Sequence, residues 1–175
     1  MAEVQGNKIA KGSLVTVDVD DLAFGGMGVG RIDNFVIFVE KGLPGDRVQA
    51  RIFRKKTSHA QARIENIEKP SPHRIENPRC ALFGTCGGCT WQNFPYEQQL
   101  IYKQRQVIDT IRLIGRQDGL EELPIIPSPE VWHYRNKMEY SFGTGADGRP
   151  IVGFHLPGRF DRIFELPRCY IHPEP

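Results

Sequence analysis

The sequence has little cysteine: four in 175 residues. Three of them, Cys80, Cys86 and Cys89, fall within ten positions, and the fourth, Cys169, stands 80 positions further on. No basic-then-apolar segment stands at the front, so secretion is not expected and the cytoplasm is the expected compartment. Thiols clustered in a reducing compartment point to metal or cluster ligands ahead of disulfides. Long apolar runs are also missing. The longest aliphatic and aromatic run, Phe35 to Val39, is far short of the roughly 20 residues that span a bilayer. No membrane partner is therefore expected. Net charge is only +2, too little to identify a nucleic-acid partner by its sum, so the distribution of charge has to decide. No internal repeat or low-complexity tract is present.

Glycine is plentiful in Phe24-Gly-Gly-Met-Gly-Val-Gly30, but the dinucleotide-binding pattern is not there. The spacing is G-x-G-x-G, and a hairpin about Asp33-Asn34 follows where a helix is needed. Bulges and tight turns in a small barrel account better for these glycines. Around them, short strands alternate. Val15, Val17 and Val19 share one face; Val48, Ala50 and Ile52 share another; Ala60, Ala62, Ile64 and Ile67 share a third. With Phe35–Val39 and the Gly-rich strand this predicts five short strands over residues 1–70, closing into an OB-like β-barrel. Residues 1–12 read as a loose polar arm.

The segment 71–94 combines a Pro-rich linker with the cysteine loop. Three prolines between Lys69 and Arg79 exclude a helix and disfavour a central strand. Over 95–118 a helix is predicted, with Asn93 as N-cap, Pro95 in the first turn and Gly115 at the end. Leu100, Val107, Ile111 and Ile114 recur on one side, widened by Ile101 and Ile108. Residues 119–175 open on Leu123-Pro-Ile-Ile-Pro-Ser-Pro129 and continue as an antiparallel meander. In it Trp132–Phe142 alternates as a strand, Tyr134, Met138, Tyr140 and Phe142 share a face, and the chain returns through Ile151–Leu156 and Ile163–Leu166 to Cys169. The fold class expected is mainly β with one long helix: an OB-like barrel followed by a cluster-binding antiparallel β region.

The cysteine spacing is C-x5-C-x2-C with one distant partner. Zinc ribbons present two C-x2-C pairs, whereas three ligands on one loop and a lone fourth suit a 4Fe–4S cluster. Gly87 and Gly88 free the backbone to wrap closely. Zinc remains the alternative metal, with His172 of Cys169-Tyr-Ile-His172 as a possible ligand. His133 and His155 sit in strand-like runs and read as structural. Basic residues gather on the last two barrel strands and their turn: Arg51, Arg54, Lys55, Lys56 and Arg63. On an OB-like barrel they suggest contact with single-stranded RNA. Arg135 and Lys137, beside Tyr134 and Tyr140, form a second candidate surface.

Residues 1–70 resemble a TRAM domain in Phe24–Gly30, Val36–Val39, Leu43-Pro-Gly-Asp46 and Arg54-Lys-Lys56. Cys80-x5-Cys86-Gly-Gly-Cys89-x2-Gln92, with Tyr96, Gln99, Lys103, Tyr134-Arg-Asn-Lys-Met138, Val152-Gly-Phe-His155 and Cys169, resembles the RNA uracil-5-methyltransferase family. Members modify ribosomal or transfer RNA. The resemblance implies that Cys80, Cys86, Cys89 and Cys169 hold a 4Fe–4S cluster. It implies a reaction with S-adenosylmethionine in which a cysteine thiolate adds to carbon 6 of a flipped-out uracil, carbon 5 takes the methyl group and a base removes the proton. The family's catalytic half lies C-terminal to the counterpart of Cys169. The expectation is thus an N-terminal part with neither catalytic nor S-adenosylmethionine-binding residues, inactive alone. Its helix would pack on the missing methyltransferase domain and, left bare, promote non-native self-association. Two other classes remain: a stand-alone RNA-binding module with a cluster or zinc, and a radical enzyme. The latter needs C-x3-C-x2-C, which this sequence does not have.

Overall fold

A computed structural model describes residues 9–173, except the side chain of Phe160. Most of the expected arm at 1–12 lies outside the described residues. The chain divides into two compact units: residues 1–74 with 101–122, and residues 75–100 with 123–175.

In the first unit five strands close a barrel in the order β1-β2-β3-β5-β4. They are β1 (Leu14–Leu22), β2 (Gly28–Ile32), β3 (Phe35–Glu40), β4 (Arg47–Lys55) and β5 (His59–Lys69). Neighbours run antiparallel except β3 and β5, which pair in parallel. The period-2 alternation decides the inside. Val15, Val17, Val19, Ile37, Val39, Val48, Ala50, Ile52, Ala60 and Ala62 form one buried cluster, with Ile64 and Ile67 packed against it. Asp33 and Asn34 both take positive φ, 48° and 63°, which is the turn geometry that matches the strand twist of a two-residue hairpin.

The glycines of the second strand are there for close approach, as expected of a small barrel. A Cβ on Gly30 would stand 2.3 Å from the Asp18 carbonyl oxygen, beside the register shift between Val19 and Asp21 where β1 bulges against β2. Because the obstacle is backbone, Gly30→Ala is expected to lower stability by about 1–3 kcal/mol, read as a fall in denaturant midpoint at unchanged slope.

The segment after β5 does not swing clear of the barrel. Asp46, 1 % exposed, accepts hydrogen bonds from the Leu43 amide (2.7 Å), the Ser71 amide (2.8 Å) and Arg74 Nε (2.9 Å), and a further ion pair from Arg74 Nη2. Ser71 Oγ donates to the Pro44 carbonyl at 2.6 Å. The β3–β4 turn and the first linker residues are thereby pinned to one buried carboxylate.

The helix α1 spans Tyr96–Asp109 and passes into a π-helical turn at Thr110–Ile114. Asn93 does not cap it. It stands outside the first turn, 4 % exposed, with its carbonyl accepting from the Ile75 amide. In the first unit, Gln106 Nε2 donates to the Leu22 carbonyl (2.9 Å) and Arg105 pairs with Asp21 (3.1 Å). Of the expected stripe Ile101, Val107, Ile111 and Ile114 are exposed, as is Leu113, whereas Leu100 and Ile108 are half-buried.

In the second unit β6 (Ser141–Thr144), β7 (Pro150–Leu156) and β8 (Arg159–Glu165) form an antiparallel meander. The expected strand across Trp132–Phe142 is not formed; only its end, from Ser141, joins β7. Upstream, isolated backbone bonds replace a ladder: the His133 amide donates to the Tyr170 carbonyl (2.9 Å) and the Arg135 amide to that of Ile171 (2.8 Å). Of the four residues expected to share a face, Tyr134, Tyr140 and Phe142 are exposed and Met138 is half-buried. Among the described residues no helix is long and apolar enough to cross a membrane.

Candidate functional site

In the second unit the cysteine loop is wound by short-range bonds. The Phe83 amide donates to the Cys80 carbonyl, and the amides of Thr85 and Cys86 both donate to that of Leu82. Gly87 follows at φ 74°, where a Cβ would lie 2.7 Å from Pro157 Cγ. Only glycine meets both demands at that position. Cys169 arrives from the far end of the chain, next to Tyr170 and Ile171, whose carbonyls the 133–135 segment binds.

These connections set all four cysteines around one cavity of about 340 Å³, with Gln92, Met138, Phe154 and Arg168 also in its lining. None is in a disulfide, and each is half-buried. Burial pushes the Cys89 thiol above its ordinary range, and the nearby thiols of Cys169, Cys86 and Cys80 push it the same way, while a hydrogen bond with Gln92 opposes the shift. Gln92 also accepts from the Cys80 amide at 3.2 Å, so one side chain ties the first cysteine to the third. Among the described residues no three His, Cys, Asp or Glu side chains are drawn tightly enough to hold a single metal ion. His172 is not in the cavity lining; its ring lies edge-on to Tyr140.

Two arginines adjoin the cysteines. Pro-Arg-Cys occurs twice, at Pro78-Arg79-Cys80 and Pro167-Arg168-Cys169. Both guanidinium groups lie 4.8 Å from the Tyr170 ring centre, and Arg79 also lies 5.1 Å from that of Trp132. The repeated tripeptide was a signal available in the sequence, but its shared ring could not be read there. If the four thiols hold a metal group, Gln92→Ala is expected to weaken its retention about 10- to 100-fold, as for loss of a residue that orients ligands. Competition with a chelator measures it.

The basic candidates divide by what already holds them. Arg51 makes a two-pronged pair with Glu65, which raises its pKa and lowers that of Glu65 by hydrogen bonding. Arg63 pairs with Glu40 at 3.0 Å. Arg54 and Lys56 have no side-chain partner among the described residues, and Lys55 lies over the Phe35 ring at 5.9 Å. In the second unit Arg135 and Lys137 both line the cysteine cavity; Lys137 pairs with Glu139 at 2.9 Å.

Comparison with known proteins now adds to this geometry. The TRAM domain family matches residues 9–64, the barrel strands and their turns. The chain is 38% identical over 171 residues to a Porphyromonas gingivalis protein named as an uncharacterized RNA methyltransferase, covering 89% of this chain and 37% of that one. A Caldanaerobacter subterraneus protein of the same description is 40% identical over 166 residues, covering 95% and 36%. The chain is therefore similar to proteins named RNA methyltransferases, and it spans little more than a third of their length. In fold it resembles the crystal structure of Pyrococcus abyssi tRNA (uracil-54, C5)-methyltransferase with S-adenosyl-L-homocysteine: TM-score 0.58, 23% identity, 91% of this chain and 33% of that one.

Proposed function

We propose that this chain is the RNA-recognition and 4Fe–4S part of an S-adenosylmethionine-dependent RNA uridine carbon-5 methyltransferase acting on ribosomal or transfer RNA in the cytoplasm. The observation that carries the reading is that Cys169, 80 positions beyond Cys89, joins Cys80, Cys86 and Cys89 around one cavity. Four thiols are the donor set of a 4Fe–4S cluster. Thiolates on one zinc stand about 3.8 Å apart, given Zn–S bonds of about 2.3 Å at tetrahedral angles. A four-iron core asks for a wider frame, and a cavity serves it better than a tight knot.

In this reading Cys80, Cys86, Cys89 and Cys169 would hold the cluster, and Cys169 would tie the end of the meander to it. A cluster with four protein ligands would leave no iron for substrate and would serve as a clamp on an RNA-facing unit. All four cysteines being ligands, none remains as a nucleophile for carbon 6 of uracil. Methyl transfer then belongs to a methyltransferase domain outside these 175 residues, with S-adenosylmethionine bound there. The bare stripe of Ile101, Val107, Leu113 and Ile114 is the surface such a domain would cover, and in its absence self-association is expected.

The test is radiolabelled methyl transfer from S-adenosylmethionine to undermodified ribosomal and transfer RNA. The 175-residue chain gives none, and the full-length protein yields 5-methyluridine. Transfer by this chain alone, or a different modified base from the longer protein, would overturn the reading.

A further inference from the structure

The barrel carries an aromatic surface that the charge pattern alone did not disclose. Along β5 the side chains of Ala60 and Ala62 are fully buried, so His59, Gln61 and Arg63 line the outer face. Phe38 on β3 stands opposite Gln61, and its ring meets His59 edge-on at 5.2 Å. On the other side of β5, Phe53 falls at the register shift between Ile52 and Arg54, is 36% exposed, and has the Arg63 guanidinium 5.7 Å from its ring centre. Two rings thus flank a central strand on one face. Gln61 lies between them, with an amide that can both donate and accept and no partner among the described residues.

A patch of this kind needs a reason to be left in water. Phe53 keeps about a third of its surface in water, and the charges around it are arranged asymmetrically. The acids on this face are already neutralised, Glu65 by Arg51 and Glu40 by Arg63. Arg54, Lys55 and Lys56, at the end of β4 and in the turn to β5, lack an acidic partner among the described residues. Positive charge beside partly exposed rings, with an uncommitted amide between them, matches a single-stranded polynucleotide: phosphates follow the cations while bases stack on the rings. The β4–β5 loop is also one of the loops by which barrels of this connectivity take oligonucleotides. Duplex RNA fits poorly, because its bases are stacked on one another and offer no open face.

We propose that the outer face of β3, β5 and β4 is a base-stacking site for single-stranded RNA. Phe38 with His59 forms one stacking position, and Phe53 with Arg63 the other. Gln61 reads a base edge between them, and Arg54, Lys55 and Lys56 hold the backbone. This rests on the RNA-binding part of the proposed function and assigns that binding to particular rings.

The experiment measures binding of the 175-residue chain to a fluorescein-labelled, unstructured 12-nucleotide RNA and to a hairpin duplex of the same length, across a salt series. Removing a stacking ring is expected to lower single-strand affinity roughly 5- to 100-fold. Phe38→Ala/Phe53→Ala should do so with an unchanged salt slope and little effect on the duplex, while Phe38→Tyr/Phe53→Tyr keeps the affinity. Lys56→Gln should instead flatten the slope by about 0.7. A Phe53→Trp chain should show extra fluorescence quenching on RNA addition compared with the unsubstituted chain. This variant gives a second reading if the alanine chain folds poorly. Single-strand binding retained in full by the double alanine variant, or absence of extra quenching, overturns the stacking site and leaves RNA binding standing. Failure of the unsubstituted chain to bind either RNA overturns both.

Discussion

Replacing Asp46 by alanine should unfold the first unit at far lower denaturant than the parent chain, a loss of about 3–5 kcal/mol. The carboxylate is buried, and Arg74, whose side chain is 12% exposed, faces it with two nitrogens. Removing the acid strands a nearly buried guanidinium and leaves the amides of Leu43 and Ser71 without an acceptor. Asp46→Asn should also be costly, since one side of an amide presents donors to donors. Asp46→Ala/Arg74→Met should recover part of the loss, because the stranded charge is gone. Thermal and denaturant unfolding of the three variants check this. A midpoint for Asp46→Ala within error of the parent would mean that the linker is held by something else.

The second large effect concerns Cys169. If it is the fourth ligand, Cys169→Ser should abolish cluster retention, taking iron from about four per chain to near zero. Hydrogen exchange should then speed up in the second unit, at the amides of His133 and Arg135 that bond to the carbonyls of Tyr170 and Ile171. The barrel amides should keep their protection, since no ligand comes from β1–β5. His172→Ala, by contrast, should leave iron content unchanged, because His172 is not in the cavity lining. Full iron in Cys169→Ser would remove this residue from the ligand set.

The barrel was legible in the sequence because every strand carries its own signal. Val15, Val17 and Val19 alternate, Asp33-Asn34 turns, and Gly30 marks a close approach. Asp46 was not, for the opposite reason. In Leu43-Pro-Gly-Asp46 it reads as an ordinary turn residue, and the partner that gives it weight, Arg74, lies 28 positions away. The same distance effect hid Phe38 with His59 and Phe53 with Arg63, which only the parallel β3–β5 pairing and the β4 bulge bring onto one face. At Trp132–Phe142 alternation was present but misleading. A strand needs a neighbour, and only Ser141–Thr144 finds one in β7. The helix was readable from its stripe, but not its π-helical ending. The cysteine spacing identified the candidate ligands, while Gln92 and the two arginines on Tyr170 depend on how the chain returns.

The central claim is that Cys80, Cys86, Cys89 and Cys169 together hold a 4Fe–4S cluster. Anaerobic purification of the 175-residue chain, followed by iron, acid-labile sulfide and zinc analysis, tests it most directly. The account predicts about four irons and four sulfides per chain and little zinc. One zinc per chain with no iron under those conditions would contradict it.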